Sequence, residues 1–182
     1  MKVHKPQIPC TLPVVIIDTD NELVTKEIFE YCGSFQDTMK KRTNVQADMT
    51  NFDVFRDTPA FDNMLTKILK LVNEHRYAIE MEEWVITNAW VARYSKDEIT
   101  KPHEHVPAQL SFIYYLNCTG NPSPLIFEGE QDYKVEAETG RLIIFPACMR
   151  HRVDANGDGD RWVLAGNIHM KQMRLDEKGW GR

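Results

Sequence analysis

The sequence predicts an α+β fold: two N-terminal helices packed on one sheet of an antiparallel barrel or sandwich. Three observations carry this. A segment after Pro59 has helical apolar spacing. From Trp84 onward, aromatic and β-branched residues gather in short runs. Glycine-, asparagine- and proline-rich turns recur between those runs, the pattern of an all-β unit.

The elements follow in order. Leu12 to Asp18 reads as a strand. Asp18, Thr19 or Asp20 can cap a helix running to about Cys32, with Gly33 after its end. From Gly33 to about Arg56 the chain is polar loop with one strand near Asn44–Asp48. The second helix starts after Pro59 and runs to about Tyr77. It places Phe61, Met64, Leu65, Ile68, Leu69 and Val72 on one face. Strands are predicted at Trp84–Tyr94, Thr100–His105, Gln109–Asn117, Leu125–Glu128, Tyr133–Val135, Arg141–Phe145, His151–Val153 and Arg161–His169. The 182 residues read as one domain, with helical support over about 1–80 and a barrel over about 84–170.

Composition narrows the function classes. Hydrophobic residues are 42% and charged residues 27%, as in ordinary globular proteins. The net charge of −5 gives no electrostatic footing for nucleic acid. Lys40, Lys41 and Arg42 form only a short solvated run. No apolar stretch approaches the roughly 20 residues of a membrane span, and the start of the chain does not read as a secretory leader. The expected setting is therefore cytoplasmic, with no membrane partner. The four cysteines, Cys10, Cys32, Cys118 and Cys148, lack paired spacing and read as reduced thiols. Cys148 reads as a buried structural thiol in preference to a nucleophile.

His103-Glu104-His105, then His151, then Arg161, is the constellation that carries chemistry. Residues i and i+2 of a strand point the same way, so His103 and His105 can share a metal that His151 completes. Imidazole suits divalent iron, copper, nickel and zinc. Jelly-roll and cupin barrels set ligands in this order, a close pair and then a distant histidine. An arginine in an otherwise apolar strand needs an anion. If Arg161 and His151 lie on paired strands, both face the barrel interior. An internal Asp or Glu is the alternative partner for Arg161.

These segments resemble a known family. Ser111-Phe112-Ile113-Tyr114-Tyr115-Leu116-Asn117 is similar to the strand after the first metal ligands in prolyl-hydroxylase-type 2-oxoglutarate/Fe(II) oxygenases. Gly140-Arg141-Leu142-Ile143-Ile144-Phe145-Pro146 with His151-Arg152-Val153 is similar to the segment bearing their distal histidine. The similarity spans about Trp90 to Ile168 and is nearest to a small branch found in bacteria and phages.

The resemblance implies a double-stranded β-helix of jelly-roll type, with iron held by His103, His105 and His151. Arg161 and Tyr115 would hold the far carboxylate of 2-oxoglutarate, with Tyr94 near the co-substrate and Tyr114 turned away into packing. The implied activity is hydroxylation of an unidentified substrate, a small molecule or a protein side chain, using dioxygen. The family usually has a carboxylate where His105 stands, so Glu104 is a reserve ligand. Gln109 stands where cupins place a fourth ligand and is an alternative to it. Three neutral imidazoles leave Fe(II) at +2, which a 2-oxoglutarate dianion would neutralise. The rival readings are a cupin-like three-histidine metalloenzyme without 2-oxoglutarate, and a non-catalytic phage or virion-associated barrel.

Overall fold

The computed structural model describes residues 11–39, 43–75 and 84–171. Cys10, the Lys40–Arg42 run, the start of the chain and the expected helix end at Tyr77 lie outside them.

Two antiparallel sheets face each other. The larger contains β1 (Val15–Asp18), β3 (Asp48–Met49), β4 (Trp84–Tyr94), β6 (Leu110–Cys118), β9 (Arg141–Pro146) and β11 (Arg161–Met170). Their spatial order is β1-β9-β6-β11-β4-β3. The smaller contains β2 (Val45–Gln46), β5 (Ile99–His103), β7 (Leu125–Phe127), β8 (Tyr133–Val135) and β10 (His151–Val153), in the order β2-β5-β10-β7-β8. Helices α1 (Lys26–Ser34) and α2 (Pro59–Glu74) cover the outer face of the larger sheet.

Alternation along the strands sorts the side chains into two cores. Ala89, Val91, Phe112, Tyr114, Leu142, Ile144 and Leu164 pack against Ile28, Phe61, Met64 and Ile68 of the helices. Trp90, Ala92, Tyr94, Ile113, Tyr115, Ile143, Phe145 and Val163 fill the space between the sheets with Leu125 and Phe127. The larger sheet is thus buried on both faces, which is why its strands read as nearly unbroken apolar runs. Tyr114 faces the helices, as its alternation with Tyr115 requires, and its hydroxyl lies 2.8 Å from Thr19 Oγ1.

Several expectations are corrected. Helix α1 starts at Lys26, capped by the Thr25 hydroxyl, which accepts from Ile28 N at 3.3 Å. Asp18, Thr19 and Asp20 do not cap it, because Asp20 and Asn21 have φ of 48° and 62° and form a left-handed turn. Gly33 lies inside α1. The α2 start is as expected, with Pro59 in its first turn and Thr58 as cap. The single strand expected near Asn44–Asp48 is two two-residue strands in different sheets. Cys148 is exposed, in the turn after β9 that Met149 N closes onto Pro146 O at 3.0 Å.

The largest correction concerns His151 and Arg161. Their strands do not pair: β10 belongs to the smaller sheet and β11 to the larger. The intervening loop carries the chain across the barrel, so the two side chains approach the interior from opposite layers.

Candidate metal centre

Three imidazoles converge at the edge of the interlayer space. His103 ends β5 and His151 begins β10, and antiparallel pairing sets them directly opposite each other. Their ring centroids are 4.3 Å apart. Strand β5 stops at His103, short of the expected end at His105. His105 still lies beside both rings, 4.8 Å from His103 and 5.0 Å from His151. Its backbone is fixed by two bonds: its N–H donates to Ala147 O at 2.8 Å, and its carbonyl accepts from Ala108 N at 3.0 Å.

One ligating atom from each histidine fits within a span of 4.8 Å. Two of the rings are also oriented. His103 Nδ1 lies 2.8 Å from Lys101 O, and His151 Nδ1 lies 2.9 Å from Met149 O. Each Nδ1–H donating to a carbonyl leaves Nε2 as the lone-pair nitrogen. Burial pushes His105 down to about 3, with help from the neighbouring His151 and His103. Burial, then His103, pushes His151 down to about 4. Burial also lowers His103. The site is a cluster of neutral imidazoles, the protonation state a divalent metal requires.

Phe127 and Phe145 stand beside His151, with centroids at 6.1 and 5.0 Å, and lead into the apolar interior. Within that core Arg161 is 1% exposed. Its Nε donates to Ser123 O at 2.9 Å and its Nη2 to the Tyr115 hydroxyl at 3.4 Å. The guanidinium lies 4.6 Å from the Tyr94 ring centroid and 5.3 Å from that of Tyr115. The Tyr94 hydroxyl is 2.5 Å from Thr100 Oγ1. Among the described residues no Asp or Glu pairs with Arg161, and the groups acting on its charge are Tyr115, Tyr94 and Cys118. Among the described residues this buried cation is held by neutral groups alone, an arrangement that suits an anionic partner.

Outside the imidazoles a cleft of about 390 Å³ opens to solvent. Thr43, Asn44, Val45, Met49 and Phe52 form one wall. The loop Asn117–Pro124 does not line this cleft; its Ser123 meets Arg161 instead. Glu104 lines the cleft without joining the histidine cluster. Gln109 is engaged elsewhere: its Oε1 accepts from Met170 N at 3.1 Å.

Asn88, Trp90, Asn167 and His169 also line the cleft and do not stand out in the sequence as site residues. The one sequence signal for them is a pair of asparagines inside apolar strands. They are cross-strand partners on β4 and β11.

No family model matches the chain, and no curated protein matches it. Solved structures do. A Pseudomonas putida prolyl-4-hydroxylase superposes with TM-score 0.67 at 16% identity, covering 89% of this chain and 95% of that one. A Trichoplax adhaerens prolyl hydroxylase, solved with a hypoxia-inducible-factor peptide fragment, gives 0.65 at 15%, covering 85% and 82%. HygX from Streptomyces hygroscopicus, with nickel and 2-oxoglutarate bound, gives 0.65 at 11%, covering 87% and 83%. The fold is that of the 2-oxoglutarate/Fe(II) oxygenases. In this oxygenase fold the two sheets are the walls of a double-stranded β-helix, and the histidines sit at one mouth.

Proposed function

We propose that the chain is an Fe(II)- and 2-oxoglutarate-dependent dioxygenase that hydroxylates a substrate C–H bond, and that residues 1–182 act as a single oxygenase-like domain. The observation that carries this reading is the pairing of a neutral three-histidine cluster with a buried arginine that has no acidic partner among the described residues. A metal site alone would suit many enzymes. The two together suit a dicarboxylate that chelates the metal at one end and meets a guanidinium at the other.

His103, His105 and His151 would each give the metal one ring nitrogen. The carbonyls of Lys101 and Met149 hold two of the rings in the right tautomer before any metal arrives. Three protein ligands leave positions open for a co-substrate and dioxygen. Iron and 2-oxoglutarate, when bound, supply the oxidising chemistry, with decarboxylation to succinate accompanying hydroxylation of the substrate.

Arg161 would hold the far carboxylate, with the Tyr115 hydroxyl beside it and the Tyr94 ring beneath the guanidinium. Burial pushes the Tyr115 phenol up, so it stays protonated and able to donate. Phe127, Phe145 and Ile143 exclude water from the space between the two ends. The open cleft admits the substrate from the other side. HygX, which has the same fold, binds nickel together with 2-oxoglutarate.

No helix among the described residues is long and apolar enough to cross a membrane. We place the reaction in the cytoplasm, where the reduced cysteines and the iron and 2-oxoglutarate supply suit it. Anaerobic titration with Fe(II) and then 2-oxoglutarate tests the reading. A visible metal-to-ligand charge-transfer band on adding 2-oxoglutarate is expected. Metal binding without that band would favour a three-histidine centre that does not use 2-oxoglutarate.

A further inference from the structure

Glu104 is left over by the metal reading. It sits between two ligand candidates, faces the cleft and is exposed. Among the described residues it forms no ion pair, whereas Glu128 and Glu138 are both held by arginines.

The rest of the cleft has the same electrostatic sense. Among the described residues no lysine or arginine lines it. Arg150, whose charge is felt at His103, is paired with Glu128 at 2.9 Å. Beside the cleft Asn88 Oδ1 is a buried acceptor with no hydrogen-bond partner among the described residues. An amide oxygen without a donor is costly. Beside it, Trp90 and Phe52 meet edge to face at 5.3 Å, and Trp90 also lies 5.8 Å from His105. The aromatic pair and a carboxylate without an ion pair among the described residues together favour a cationic group and disfavour an anion.

We propose that the cleft recognises a protonated amino or guanidino group of the substrate, bound by Glu104 over the Trp90–Phe52 pair, close to the carbon that is oxidised. This rests on the histidine reading for the reaction, but the cation site can be measured without it. The same chemistry could come from a basic side chain in a peptide or from a free amine.

The probes are n-butylammonium, its neutral isostere n-butanol and the anion butyrate, followed by N-acetyl-lysine methylamide and a linear polyamine. Each is titrated against metal-free protein and against protein loaded with Ni(II) and 2-oxoglutarate, with ligand-observed NMR as readout. Butylammonium should bind about tenfold more tightly than butanol, and butyrate more weakly than either. Glu104→Gln should remove most of that preference and leave Ni(II) affinity unchanged. Stronger binding of the lysine derivative would indicate a peptide source, and stronger binding of the polyamine a free amine. Equal binding of butylammonium and butanol, or a preference that survives Glu104→Gln, overturns the inference. If metal and 2-oxoglutarate fail to bind while the Glu104-dependent preference persists, the oxygenase reading falls and the cation site stands.

Discussion

His103 and His151 are cross-strand partners on β5 and β10, and each imidazole Nδ1 lies within 2.9 Å of the carbonyl two residues before it. Sheet pairing fixes the spacing of the rings, and the carbonyls fix which nitrogen faces the partner. The candidate metal face is therefore assembled by the backbone. His103→Ala and His151→Ala should each lower Ni(II) or Fe(II) affinity by roughly 100-fold, with the fold intact by circular dichroism. Calorimetric titration measures this. Wild-type affinity in either variant would remove that residue from the ligand set.

The third ligand position separates His105 from Glu104. His105 lies beside both other rings, whereas Glu104 turns to the cleft. His105→Ala should weaken metal binding by roughly 100-fold, and Glu104→Ala by less than about twofold. The reverse order would mean that a backbone rearrangement brings the carboxylate to the metal.

Arg161 provides a test that leaves the metal alone. Its guanidinium is buried among Tyr94, Tyr115 and the Ser123 carbonyl, and among the described residues no carboxylate answers it. Arg161→Gln should lower 2-oxoglutarate affinity by about 100-fold at unchanged Ni(II) affinity. Arg161→Lys should recover only part of it, because an ammonium keeps the charge and loses the fork. Full 2-oxoglutarate affinity in Arg161→Gln would assign the buried cation a purely structural role.

Elements whose pattern is set locally are legible in the sequence. Strands β4, β8 and β10 lie where alternation and flanking turns put them. Two features depend on tertiary structure. Asp18, Thr19 and Asp20 look like helix caps, yet Thr19 is drawn away by Tyr114 and the Gly140 carbonyl, and the following turn is left-handed. Likewise, nearness in sequence suggests that His151 and Arg161 share a sheet, but the loop between them changes layer. The cleft is least legible, because Phe52, Glu104, Asn167 and the β4 pair Asn88 and Trp90 come from four separate segments that only the barrel brings together.

Acid should destabilise the metal-free protein before the carboxylates titrate. His105 and His151 are pushed down to about 3 and about 4 in the folded state, against about 6.5 unfolded. Between those values the unfolded chain binds protons that the folded chain refuses, so stability rises with pH. It is fully present above the unfolded value and is lost as pH falls toward 4. The melting temperature of the apo protein should therefore drop from pH 7 to pH 5, and His151→Gln should flatten that slope. An unchanged slope in the variant would mean the buried imidazoles are not its source.

Gly166 links the fold to the site. It sits in β11 between Ala89 of β4 and Phe112 of β6, and a Cβ there would meet Phe112 Cε1 at 2.6 Å and Asn88 O at 2.7 Å. The Phe112 ring is fully buried under the helices and has little room to retreat, and the second contact is main chain. Gly166→Ala should cost about 1–3 kcal/mol in urea unfolding, the usual penalty for overpacking a filled core. Because Asn88 lines the cleft and Asn167 follows Gly166, strain in this strand pair should also weaken amine binding. A variant as stable as wild type would show that the sheet yields at this crossing and that the cleft floor is less rigid than its packing implies.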